Sequence, residues 1–128
     1  MTPSKAQTWG GWALTGLVVL FLVTDGAMKF MNLQQVRDAT GQLGWPQSLD
    51  HTVGAIELGC LVLYAIPRTA ALGAVLLTGL LGGAIASHLR VPDPLFSHTL
   101  FGVYVGLMAW GGLWLRDAKL RALMPLRR

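Results

Sequence analysis

Three stretches of the chain contain no Asp, Glu, Lys or Arg: residues 6–24, 69–87 and 94–115. Each is close to the roughly 20 residues that a helix needs to cross about 30 Å of hydrocarbon. Lipid offers no water to unpaired amides and carbonyls, so apolar runs of this length resolve into helices that bond their own backbones. A fourth segment, Thr52 to Ile66, is shorter and contains Glu57, but Pro46 and Pro67 bracket it as helix limits. A helix crossing from about Asp50 to Ile66, capped by Asp50 or Ser48, completes the set. The expectation is an all-α integral membrane four-helix bundle, one transmembrane domain over residues 1–128, with helices at about 9–31, 50–66, 69–90 and 96–116.

Composition supports that class and removes others. The chain is 53% apolar and 12% charged, with a mean hydropathy of +0.53, which excludes a disordered tail or a nucleic-acid-binding arm. The net charge of +4 suggests no acidic partner, because five of the ten basic residues are Arg116, Lys119, Arg121, Arg127 and Arg128, a C-terminal tail. The single cysteine, Cys60, excludes an internal disulfide framework and any multi-cysteine metal centre within this chain. Lys5 followed by an apolar run superficially matches a secretory signal. That run is longer than a signal core and no small-residue cleavage site follows, so it reads as a retained first helix. Phosphate loops, GxSxG and HExxH are absent from the sequence.

Loop charges give a direction. Lys5, Arg68 and the five tail residues fall on one side, against Lys29, Arg37 and Arg90 on the other. Seven against three favours cytoplasmic termini. The long connection from Asn32 to Leu49, broken by Gly41, Gly44 and Pro46, then lies outside, with Arg37 and Trp45 in the headgroup layer. Trp9, Trp12, Trp110 and Trp114 form an aromatic belt at the inner leaflet. Gly79 with Gly83, and Gly102 with Gly106, sit four apart within the spans. Such pairs let helices approach closely in lipid, within one chain or in a homo-oligomer.

With alternating helices, the end of the first, the start of the second, the end of the third and the start of the fourth share the outer face. The ionisable residues gather there: Asp25, Lys29, Glu57, His88, Arg90 and His98. A charge at the bilayer centre costs about 2.5–3.5 kcal/mol on insertion scales, so Glu57 must face protein or water and find a partner or a proton. Lys29 is the partner within reach across the helices. Each residue also has a plainer role. Asp25 and Lys29, acid first at spacing four, suit an intrahelical ion pair; Glu57 can hold helices together; His88 and His98 can be interfacial anchors. Gly54, Cys60, Leu61 and Tyr64 continue the face that Glu57 occupies. A metal held by His88, Asp93 and His98 would need the Pro92 and Pro94 turn to bring them together; the sequence assigns no metal site.

The stretch GAVLLTGLLGGAIASHLRVPDP from Gly73 to Pro94, DGAMKF from Asp25 to Phe30 and GAIELG from Gly54 to Gly59 resemble the DoxX-like family of small four-helix membrane proteins. The resemblance implies a prokaryotic plasma-membrane protein. For part of that family it implies association with quinone-linked oxidation, as in thiosulfate:quinone oxidoreductase subunits. A more distant likeness is to sterol-isomerase-type membrane proteins that use buried acids to bind lipophilic ligands, which is analogy at the level of fold. The resulting expectation is a pocket near the outer face where Asp25, Lys29, Glu57, His88, Arg90 and His98 bind a quinone or another small lipophilic molecule, with no residue assigned as catalytic. The alternative is a noncatalytic membrane subunit that anchors a redox partner protein. Haem ligation by His88 and His98 is a third reading.

Overall fold

A computed structural model describes residues 4–31, 33–91 and 94–127. Among these residues every regular element is helical. Four long helices dominate: α1 (Lys5–Phe30), α3 (Asp50–Ala65), α4 (Ala70–Leu89) and α5 (Phe101–Arg116). Helix α1 packs on α3 and α5, and α4 packs on the same two, closing a ring of contacts. A short helix α2 (Gln34–Gln42) lies in the connection between α1 and α3, and α6 (Ala118–Leu123) follows α5.

Local chemistry sets each boundary. Helix α1 begins at Lys5, before the expected residue 9, because Ser4 and Gln7 form a reciprocal capping box. The Ser4 hydroxyl accepts from the Gln7 amide while the Gln7 side chain accepts from the Ser4 amide. The connection expected from Asn32 to Leu49 contains α2, whose turns are tied by Gln34 donating to Asp38 at 2.8 Å and Arg37 donating to Gln34 at 2.8 Å. Gly44, at φ +82°, turns the chain beyond it. Neither Asp50 nor Ser48 caps α3. A 3₁₀ turn over Gln47–Leu49 feeds helical backbone directly into the helix, and the capping position, Leu49, is itself helical at φ −78°, ψ −11°. A side chain there cannot reach back over an extended residue as a cap requires. Ile66 is extended before Pro67, which ends α3 as the sequence suggests. Pro94 is followed by a π-helical turn, Leu95–Thr99, so regular α5 starts later than expected, at Phe101.

Packing is uneven along the ring. The core, Val18, Leu22, Leu61, Tyr64, Ala74, Leu77, Val105, Ala109 and Leu113, fills the middle and the end nearer the termini. Tyr64, fully buried, donates to the Ala109 carbonyl at 2.6 Å and lies 3.4 Å from the Thr15 hydroxyl. Arg116 donates to Thr15 at 3.2 Å and stacks 4.2 Å from the Trp12 ring. Trp110 donates to Thr78 at 2.7 Å and Trp114 to the Met124 carbonyl at 2.9 Å. Trp12, Trp110 and Trp114 are thus stacked or hydrogen-bonded, whereas Trp9 is 77% exposed.

At the other end α1 and α3 approach so closely that only glycine fits between them. A Cβ at Gly54 would stand 2.7 Å from the Phe30 amide and 2.8 Å from the Gly26 carbonyl, both backbone atoms that cannot swing aside. Gly54→Ala is therefore expected to destabilise the fold by about 1–3 kcal/mol, read from denaturant unfolding in detergent. Gly59→Ala, where a Cβ meets nothing within 4 Å, is the control and should be at least as stable as wild type.

Candidate functional site

The close crossing at Gly26 and Gly54 is what brings the ionisable side chains together. Lys29, in the last turn of α1, places its ammonium 2.8 Å from Asp25 Oδ2 on its own helix and 3.0 Å from Glu57 Oε1 on α3. Both sequence expectations for Lys29, the intrahelical pair and the pair across helices, are met by one ammonium. Exposure differs sharply: the Glu57 side chain is 3% accessible, Lys29 29% and Asp25 38%. Glu57 is the desolvated member, and Lys29 is its compensating charge.

This triad forms part of the wall of a cleft of about 500 Å³ between the ends of the four long helices. The rest of the wall is mainly apolar, with Phe21 and Leu22 on α1, Leu81 and Ile85 on α4, and Phe101 and Val105 on α5. His88 and His98 also line it, their rings 6.1 Å apart and edge to face. Five of the six residues expected from the sequence thus share one cavity. Arg90 stands outside the lining; its guanidinium lies 5.4 Å from the centre of the Trp45 ring. Asp93 falls outside the described residues. Among the described residues no group of three or more His, Cys, Asp or Glu side chains is arranged to hold a metal ion.

The glycines divide by position. A Cβ on Gly102 would meet Ile85 and the Leu81 carbonyl, so Gly102 packs α5 on α4. Gly79 and Gly83 line the cleft, and a Cβ on either meets nothing within 4 Å. Their missing side chains are cavity volume.

Sequence reasoning missed the roof. The segment from α2 to the 3₁₀ turn closes the end of the cleft remote from the termini with Thr40, Leu43, Trp45 and Leu49. Two hydrogen bonds fasten it: Trp45 Nε1 donates to Ser87 Oγ at 2.9 Å, and the Thr40 hydroxyl to Asp50 Oδ1 at 2.5 Å. Ser87 in turn donates to the Gly83 carbonyl. The available signal was Trp45, the one aromatic residue of the connection from Asn32 to Leu49. An aromatic ring there is better placed over an apolar cavity than in water. Asp50, taken as a cap, instead faces the cleft at 4% exposure.

The sequence profile of the DoxX-like family matches residues 13–112. Every residue that lines the cleft falls inside that stretch. No curated protein and no solved structure matches the chain. Two helices, Lys5–Phe30 and Pro67–Leu89, are long and apolar enough to cross a bilayer. The match over most of its length, joined to these apolar helices, means that the chain belongs to the DoxX-like family and is a membrane protein.

Proposed function

We propose that this protein crosses the membrane four times as a helix bundle and holds a small lipophilic molecule with a polar head in its roofed cleft. The head lies toward Asp25, Lys29 and Glu57, and the apolar part lies among Phe21, Leu22, Phe101 and Val105. The observation that carries the reading is a buried, charge-compensated Lys29–Glu57 pair in the wall of a cleft of about 500 Å³ that is otherwise largely apolar.

Exposed apolar side chains support four spans. Leu17, Leu20 and Val23 on α1, Ile56 and Val62 on α3, Leu72, Val75 and Leu76 on α4, and Val103 and Leu107 on α5 all face outward. A soluble surface does not expose so much apolar area on every helix, whereas lipid requires it. Helices α3 and α5, 16 residues each, are lengthened toward a span by the 3₁₀ and π turns before them. The excess of Lys and Arg around both termini argues for cytoplasmic ends, and the family resemblance for a prokaryotic plasma membrane.

A quinone, in a redox system, is the ligand that the resemblance suggests. Two of the three N–H donors of Lys29 are committed to Asp25 and Glu57, which leaves one for a carbonyl oxygen, and Glu57 is a proton carrier beside it. The alternative, an anchor for a redox partner, would draw on glycine faces turned outward. Gly79, Gly83 and Gly102 are turned instead toward the cleft or the neighbouring helix.

The test is native mass spectrometry of protein gently solubilised from its own membranes, with extraction of bound small molecules. A stoichiometric lipophile is expected, with occupancy reduced about tenfold in Glu57→Gln. That variant should still fold, since glutamine keeps the bond from Lys29 and Asp25 still compensates the ammonium. Recovery of a tightly held second polypeptide and no small molecule would overturn the reading in favour of an anchor.

A further inference from the structure

Asp50 opens α3 seven residues before Glu57, so the two acids leave nearly the same helix face about 10 Å apart along the axis. Both line the cleft. Asp50 is 4% exposed, yet its carboxylate is poorly served. The Thr40 hydroxyl lies 2.5 Å from Oδ1 but also 2.9 Å from the Val36 carbonyl, and a hydroxyl has one proton to give. Oδ2 has no hydrogen-bond partner among the described residues. A buried carboxylate left with at most one shared donor is costly to the fold unless something else supplies donors.

Among the described residues that line the cleft, Lys29 is the only lysine or arginine. Asp25, Asp50 and Glu57 face the cleft with Lys29, and that ammonium is committed to Asp25 and Glu57. Arg90 stacks on the outer roof at Trp45, outside the lining. Among the described residues, the buried carboxylate oxygens of the wall without a hydrogen-bond partner are Asp50 Oδ2 and Glu57 Oε2, and of the two acids it is Glu57 that is paired with Lys29.

We infer that Asp50 is a ligand-binding residue, and that the molecule held in the cleft carries a hydrogen-bond donor, a hydroxyl or an ammonium, at the roofed end. The inference rests on the reading that the cleft holds a lipophile, and it narrows the class: a head group made only of acceptors, an oxidised quinone included, leaves Asp50 as it is, whereas the hydroxyls of a quinol would meet it. The ligand's donor supplies the Asp50 carboxylate with the bond that Oδ2 lacks, and the shared Thr40 hydroxyl stays on Oδ1 as a fastening of the roof.

The experiment is isothermal titration of the full chain in zwitterionic nanodiscs with three matched probes: phenylbutylamine, phenylbutanol and the methyl ether of that alcohol. Amine or alcohol should bind at least about tenfold more tightly than the ether. Asp50→Leu, which removes both side-chain acceptors, should bring the preferred probe down to the level of the ether. A clear lead of the amine assigns an ammonium head, and parity of amine and alcohol a hydroxyl head. An ether that binds as well as both others overturns the inference while the cleft remains a lipophile site. A preference that survives in Asp50→Leu overturns the assignment to this residue. Failure of all three probes overturns the inference together with the proposed function. The wild-type series decides between donor and acceptor even if the variant fails to fold.

Discussion

Lys29→Met is expected to destabilise the folded protein by about 3–5 kcal/mol, the range for removing one partner of a buried ion pair. Methionine keeps most of the length and volume of the side chain, so the loss is chiefly electrostatic. Glu57, at 3% side-chain exposure, would lose its only cation in the triad. Asp25→Asn tests the exposed arm of the same triad. At 38% exposure its carboxylate is compensated by solvent or headgroups, and the change should fall within about 1 kcal/mol. The double variant Lys29→Met with Glu57→Gln should recover most of the stability, since position 57 then carries no buried charge that has lost its partner. Denaturation in mixed micelles, with helicity followed by circular dichroism, measures all four proteins. If Lys29→Met is no more costly than Asp25→Asn, then Glu57 does not depend on Lys29, and the triad is not the organising feature of this end of the helices.

The triad was legible in the sequence because its parts obey short-range rules. Asp25 and Lys29 are one turn apart, and an acid inside an apolar segment demands a cation at similar depth. The inward face of α3 was legible for the same reason: Gly54, Glu57, Cys60, Leu61 and Tyr64 recur at helical spacing, and all are buried. The roof was not legible. Its contacts, Trp45 to Ser87 and Thr40 to Asp50, join residues 42 and 10 positions apart in the chain, and no periodicity reports such pairs. Asp50 was read as a cap because acids before apolar runs usually are caps, a local rule that the 3₁₀ turn in front of α3 overrides. The four-residue spacing of Gly79 and Gly83 announced a small-residue face. Spacing alone does not say whether such a face meets another helix or an empty space, and here it borders the cleft.

That distinction makes Gly83→Phe the sharpest functional test. A Cβ at Gly83 meets nothing within 4 Å, and the residue lines the cleft, so a large side chain there can occupy ligand space without pushing on a neighbouring helix. Replacing an exposed helical glycine also gains up to about 1 kcal/mol of backbone propensity, so the variant should be at least as stable as wild type. Displacing a ligand from roughly 100 Å² of apolar wall forfeits about 2.5 kcal/mol, close to a hundredfold in affinity. Gly83→Ala, adding one methyl group to open volume, should bind nearly as well as wild type. Titration of a small lipophilic probe into wild type, Gly83→Ala and Gly83→Phe, beside their unfolding curves, separates the roles. Lost binding with retained stability means that the empty volume beside Gly83 is the binding site. Lost stability in Gly83→Phe would mean that α4 packs more tightly there than the open space around Gly83 indicates, and the glycine pair would return to a purely structural role in helix association.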